Sequence, residues 1–176
     1  MIMTKAIFID RDGTLLDEPK TEIINTWDKF KIKNKIRCLA KLPSEYKLFI
    51  ISNQEGINEG KLEQNFYDET NQKLLVALEK FGVKIENIYT CPHAIKENCN
   101  CRKPKTGLIE QANKDFQIAK NKSWVIGDRI SDIVLAQTSG MKSIFIKSKL
   151  HALDDIKSDF VAENLCEAVE YINKNL

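Results

Sequence analysis

The chain has 176 residues, 43% hydrophobic and 30% charged, with 27 basic and 25 acidic side chains and a net charge of +2. That length and balance fit one globular domain with a real core, and they exclude a disordered chain or a strong global field for nucleic acid. No apolar run approaches the ~20 residues that span a bilayer, and Met1 to Asp10 has no signal-peptide pattern, so the expectation is a cytoplasmic protein without a membrane segment.

Ala6-Ile7-Phe8-Ile9 is a short apolar run that ends at Asp10, and Leu48-Phe49-Ile50-Ile51 is a second that ends at Ser52. Phe66, Thr70, Leu74, Ala77, Leu78 and Phe81 then step by threes and fours, which predicts a helix that Gly82 stops. Leu108, Ile109, Ala112 and Phe116 form another helical stripe. Trp124-Val125-Ile126 runs into Gly127-Asp128, and Ser131 is placed to cap a helix carrying Val134 and Leu135 that ends near Gly140. Ser143-Ile144-Phe145-Ile146 is the fourth apolar run. Asn164-Leu165-Cys166-Glu167 resembles a capping box for a last helix with Leu165, Ala168, Val169 and Ile172 inside.

Continuous apolar runs suit strands buried on both faces. Their alternation with helices predicts an α/β fold, a Rossmann-like doubly wound parallel sheet, with residues 1–176 as a single domain. Ligands of such sheets bind beyond the carboxyl ends of the strands. Asp10, Ser52 and Asp128 are the polar residues expected there.

Asp10 and Asp12 are two carboxylates just past a buried strand, and their repulsion calls for a divalent cation with hard oxygen ligands. Gly13 allows tight backbone geometry near an anion. Taken alone, Asp-x-Asp-Gly also reads as an ordinary turn.

The five cysteines are Cys38, Cys91, Cys99, Cys101 and Cys166. An odd count without a signal peptide argues against a disulfide framework. Cys91-Pro92-His93, five residues and Cys99-Asn100-Cys101 supply three thiols and an imidazole, a set that suits a closed, structural tetrahedral Zn²⁺ site. Such a clip would order the loop carrying Arg102 and Lys103. Cys38 and Cys166 read as core thiols, His151 as a surface residue, and Trp27 and Trp124 as packing residues.

Asp10-Arg11-Asp12-Gly13-Thr14-Leu15, Ser52-Asn53-Gln54, Arg102-Lys103-Pro104 and Gly127-Asp128-Arg129-Ile130-Ser131-Asp132 occur in the order of the four motifs of the haloacid dehalogenase-like phosphatases, and the chain resembles that family over residues 5–147. The resemblance implies that Asp10 is the nucleophile and Asp12 the general acid and base. Ser52 and Asn53 would hold the phosphoryl group, and Lys103 would neutralise it. Asp10, Asp128 and the carbonyl of Asp12 would bind Mg²⁺, with Asp132 either supporting that shell or serving as a solvated helix residue. Arg102, Arg129 and Glu18 complete the substrate-binding set. The gaps between motifs leave no room for a cap domain.

The zinc loop is similar to those of two groups, the histidinol-phosphate phosphatases and the D-glycero-D-manno-heptose-1,7-bisphosphate 7-phosphatases. Leu15-Leu16-Asp17-Glu18-Pro19, Trp27-Asp28-Lys29-Phe30 and the five-residue zinc spacer lean to the first, as a stand-alone version without a dehydratase domain. Gly56-Ile57-Asn58-Glu59-Gly60-Lys61, and Thr70 where a histidine is expected, lean to the second. An amine and an imidazole would favour Asp17, Glu18 and Glu55, whereas a second phosphate would favour Lys20, Lys61 and Arg102. The expectation is a monomeric phosphatase of a small phosphorylated metabolite. A phosphate-accepting signalling domain, a nucleic-acid end phosphatase and a silent binding protein fit less well.

Overall fold

The computed structural model describes residues 3–153, 155 and 157–176. The strands are β1 Lys5–Asp10, β2 Tyr46–Asn53, β3 Ile85–Cys91, β4 Trp124–Gly127, β5 Lys142–Ile146 and β6 Phe160–Ala162. The helices are α1 Gln64–Glu79, α2 Gly107–Phe116, α3 Ile130–Ser139 and α4 Leu165–Lys174. All six strands pair in parallel, in the order β3-β2-β1-β4-β5-β6.

Successive strand residues face opposite sides of the sheet. Ile7, Ile9, Leu48, Ile50 and Ile126 pack on one side against Leu74 and Leu78 of α1, Ile172 of α4, and Ile36 and Leu39 of a 3₁₀ segment, Asn34–Lys41. Phe8, Phe49, Ile51 and Val125 pack on the other against Leu108 and Ala112 of α2 and Leu135 of α3. Both faces are covered, which is why the central strands read as unbroken apolar runs. The sheet winds outward in both directions from β1 and β4, so the end of β1 is the switch point at which such folds bind ligands. No inserted cap domain occurs among the described residues, and no helix there is long and apolar enough to cross a membrane.

Several expectations need correction. β3 and β6 are not among the predicted strands. β3 is an edge strand with only Tyr89 and Cys91 buried, and β6 is three residues long. Phe81 lies beyond α1 and is 47% exposed. Ser131 does not cap α3. The N-cap is Arg129, whose backbone N–H donates to Asp132 Oδ2 at 3.2 Å. Asn164 does cap α4, accepting from Cys166 N at 2.9 Å. Cys38 and Cys166 are joined in a disulfide rather than standing as free core thiols. The 3₁₀ segment packs on α4, so these residues meet although 128 positions apart.

Candidate active site

Strand register brings the candidate groups to one edge. Asp10 stands opposite Ile51, next to Ser52, and Ile9 stands opposite Ile126, two residues before Asp128. Lys103 arrives from the loop between β3 and α2. Its main chain is clamped by the Asn53 side chain, which accepts from Lys103 N at 3.0 Å and donates to Lys103 O at 3.1 Å. Asn53 thus fixes the main chain of Lys103, and its Nδ2 keeps a second N–H that this clamp does not use.

Asp10, Asp128 and Asp132 are all buried, with carboxylate oxygens within 4.8 Å of one another. Lys103 Nζ lies 2.5 Å from Asp10 Oδ1 and 2.7 Å from Asp132 Oδ1. Burial opposes the charge on Lys103, but these carboxylates outweigh it and hold its pKa above the ordinary value. Burial, then repulsion by Asp132 and Asp128, pushes Asp10 well up against the opposing pull of Lys103. Burial, Asp132 and Glu18 likewise raise Asp128 to about 6. Asp132 is thus no solvated helix residue. One oxygen pairs with Lys103 and the other caps α3.

The cluster sets three carboxylates against one ammonium. Asp10 Oδ2 and Asp128 Oδ2 are buried without a hydrogen-bond partner. Leaving such oxygens unmatched is costly, and a hard divalent cation matches them. Gly13 keeps the neighbouring space open, with φ +93° and an added Cβ placed only 2.2 Å from Asp128 Oδ2. Asp10 and Asp128, with Asp12 in the adjoining loop, therefore fit a Mg²⁺ site.

The Asp12 carboxylate is held from two sides. Arg11 Nη1 donates to Oδ1 at 2.6 Å and Gln54 Nε2 donates to Oδ2 at 2.6 Å. Gln54 also lies 2.7 Å from Ser52 Oγ.

Asp10, Asp12, Ser52, Gln54 and Lys103 line a cavity of about 400 Å³ that also takes in Glu18, Glu55, Arg102 and Arg129. Arg102 pairs with Glu55. Arg129 pairs with Glu18, and with Glu22 at 3.1 Å. His151 Nε2 is 2.7 Å from the other oxygen of Glu18, and its side chain is only 17% exposed. The expectation of a surface histidine therefore fails, because the segment after β5 folds back over the loop after β1. Both Glu18 oxygens are engaged, one by Arg129 and the other by His151.

Cys91, His93, Cys99 and Cys101 converge as the spacing predicts. Cys91 Sγ is 3.5 Å from Cys99 Sγ and 3.6 Å from His93 Nδ1, and His93 Nδ1 is 3.2 Å from Cys101 Sγ. Those edges approach the ~3.8 Å of a tetrahedron built on Zn–S bonds of about 2.3 Å. Burial raises the Cys91 thiol. Burial opposes the ionisation of Cys99, but hydrogen bonds led by the Arg102 backbone bring it down to about 7.

Arg11, Gln54 and His151 carry parts of this site that the sequence reading left without roles. Gln54 sat inside a quoted motif. Arg11 looked like a spacer between two aspartates, and nothing local marked His151.

A family model described as HAD-hydrolase-like matches residues 100–168. The histidine biosynthesis bifunctional protein HisB of Campylobacter jejuni is 39% identical over 143 residues, covering 80% of this chain but 41% of that protein. The chain thus spans well under half the length of such relatives. A D-glycero-beta-D-manno-heptose-1,7-bisphosphate 7-phosphatase of Haemophilus ducreyi is 33% identical over 182 residues, covering 96% of this chain and 98% of that protein. Among solved structures, D,D-heptose 1,7-bisphosphate phosphatase from B. bronchiseptica, complexed with magnesium and phosphate, superposes with a TM-score of 0.88 at 20% identity, over 98% of this chain and 100% of that one.

Proposed function

This chain belongs to the haloacid dehalogenase-like phosphatases, and on that premise we propose that it hydrolyses histidinol phosphate in a Mg²⁺-dependent reaction through a phospho-Asp10 intermediate. The observation that carries the chemistry is the buried Asp10 carboxylate, one oxygen on Lys103 and the other unpartnered beside Asp128. Asp10 attacks phosphorus as the bond to the substrate oxygen breaks, and Asp12 gives that oxygen its proton. Asp12 then takes a proton from the water that splits the phospho-aspartate, releasing phosphate. Ser52 and Lys103 hold the phosphoryl oxygens. Mg²⁺, held by Asp10, Asp128 and the Asp12 carbonyl, supplies charge neutralisation at the phosphoryl group. Zn²⁺ on Cys91, His93, Cys99 and Cys101 is structural. Residues 1–176 act as one monomeric domain.

The substrate reading rests on the state of the cations around the cavity. Arg102 is paired with Glu55, Arg129 with Glu18 and Glu22, and Lys61 with Glu59 at 2.7 Å. A second phosphate would have to break these pairs or rely on Lys20, which also lines the cavity, whereas a substrate bearing an amine and an imidazole need do neither. A heptose 1,7-bisphosphate is the second reading, favoured by the end-to-end match to the Haemophilus ducreyi relative. Steady-state kinetics with Mg²⁺ on histidinol phosphate and on both anomers of the heptose bisphosphate separate the two. The proposal expects the highest kcat/KM on histidinol phosphate. A tenfold or greater preference for either bisphosphate anomer, about 1.4 kcal/mol of discrimination, would overturn it.

A further inference from the structure

Arg11 stands between the two aspartates to which the proposed reaction assigns its chemistry, and that reaction gives Arg11 no part. Its side chain is only 1% exposed. A buried guanidinium loses much hydration, and a scaffold role alone is filled as well by an apolar side chain of similar volume. Its contacts are more specific than packing requires. Nε donates to Asn71 Oδ1 at 2.8 Å and Nη2 donates to Thr70 Oγ1 at 2.7 Å. The Thr70 hydroxyl in turn donates to Tyr67 O at 2.8 Å, which leaves its oxygen free to accept from Arg11. The guanidinium carbon lies 4.8 Å from the centre of the Tyr67 ring. Residues 67, 70 and 71 share one face of α1, because positions three and four apart on a helix stand together. That face holds the fork on two edges and from above. The remaining edge, Nη1, is aimed at Asp12 Oδ1 at 2.6 Å.

We infer that Arg11 is a positioning residue: anchored by Tyr67, Thr70 and Asn71 of α1, it fixes the orientation of the Asp12 carboxylate, with Gln54 as the second tether. The inference rests on the reading of Asp12 as general acid and base. Asp12 must first point an oxygen at the departing alcohol and then at the attacking water. A carboxylate on a glycine-flanked loop has a broad, roughly two-fold terminal torsion, and two donors from different elements, Arg11 backed by α1 and Gln54 after β2, narrow it. The arrangement also gives Thr70 a purpose. A residue there must accept from Arg11, and the hydroxyl does so.

The test compares wild type with Arg11→Met, Arg11→Lys, Asn71→Ala and Asp10→Asn, each checked for native circular dichroism. On the preferred alkyl phosphate, Arg11→Met should lose about 10- to 100-fold in kcat with KM within about threefold, part of the 10²- to 10⁴-fold that general acid–base catalysis supplies. Asn71→Ala, which loosens the anchor without touching Asp12, should show a smaller loss of the same kind. Arg11→Lys should recover part of it.

Rapid mixing with p-nitrophenyl phosphate gives a readout that a purely structural role would not move. Nitrophenolate leaves without a proton, so phosphorylation of Asp10 survives while hydrolysis of phospho-Asp10, which needs Asp12, slows. Arg11→Met and Asn71→Ala should then show a burst of nitrophenolate approaching one per enzyme, larger than in wild type. Equal losses on both substrates without a burst, or wild-type kcat in Arg11→Met, would overturn the inference. Should Arg11→Met not fold, Asn71→Ala decides alone. Turnover by Asp10→Asn would instead remove the aspartyl-phosphate reading itself. An inactive Asp10→Asn beside wild-type Arg11 variants removes only the positioning role.

Discussion

Asp128 is fully buried, and burial, then Asp132 and Glu18, raise its pKa to about 6 from an ordinary value of 3.8. Between those values the folded, metal-free protein binds a proton that the unfolded chain does not. By linkage, this carboxylate favours folding at low pH and loses that contribution as the pH rises through about 6. Mg²⁺ binds the deprotonated carboxylate, so metal and proton compete. The rise in Tm on adding Mg²⁺ should therefore be small at about pH 5 and larger at about pH 7, measured by differential scanning fluorimetry with and without the metal. An equal rise at both pH values would remove Asp128 from the metal site. At this scale the sequence spoke clearly where a residue follows a strand. Asp10, Ser52 and Asp128 were legible because each ends an apolar run. The partners were not. The Asn53 clamp on Lys103 and the pairing of Glu18 with Arg129 and His151 join positions far apart in the chain. A side chain's chemistry can be read from its type, but its hydrogen-bond partner depends on what folding brings beside it.

The element that most needs explanation is the loop from the end of β3 to the start of α2. It has few apolar anchors of its own, yet it carries Arg102 and Lys103 to the edge of the cavity. Three thiols and an imidazole in eleven residues converge within it, and the Asn53 clamp fixes where it ends. Stripping Zn²⁺ with a thiol-compatible chelator, followed by full restoration of Mg²⁺, should reduce activity at least tenfold by displacing Lys103, although zinc does no chemistry. One zinc per chain by metal analysis is the companion result, and full turnover in zinc-free protein would contradict the account. The convergence of Cys91, His93, Cys99 and Cys101 was legible because their spacing is local. The strand that presents the first of them was not. β3 lies at the sheet edge and buries only Tyr89 and Cys91, so the continuous apolar signal of the central strands is missing.

Across the whole molecule, topology does the assembling. β1 and β4 are neighbours although more than a hundred residues separate them, and that pairing brings Asp10 and Asp128 into one site. Alternating runs and helical stripes predicted a doubly wound sheet, because burial on both faces writes itself into each central strand. Contacts between distant ends were out of reach. The Cys38–Cys166 disulfide ties the segment after β1's loop to the last helix across 128 positions, and nothing near either cysteine announces it.

All of this geometry serves one claim, that Asp10 is phosphorylated during turnover. The most direct measurement is rapid acid quench of Asp12→Asn, in which hydrolysis of the intermediate is slowed, with Mg²⁺ and substrate, followed by mass spectrometry of the peptide containing Asp10. A phosphoryl adduct on Asp10, formed at the rate of the first turnover and absent in Asp10→Asn, is the predicted result. Phosphate release with no adduct at any time point, or an adduct on another residue, would contradict it.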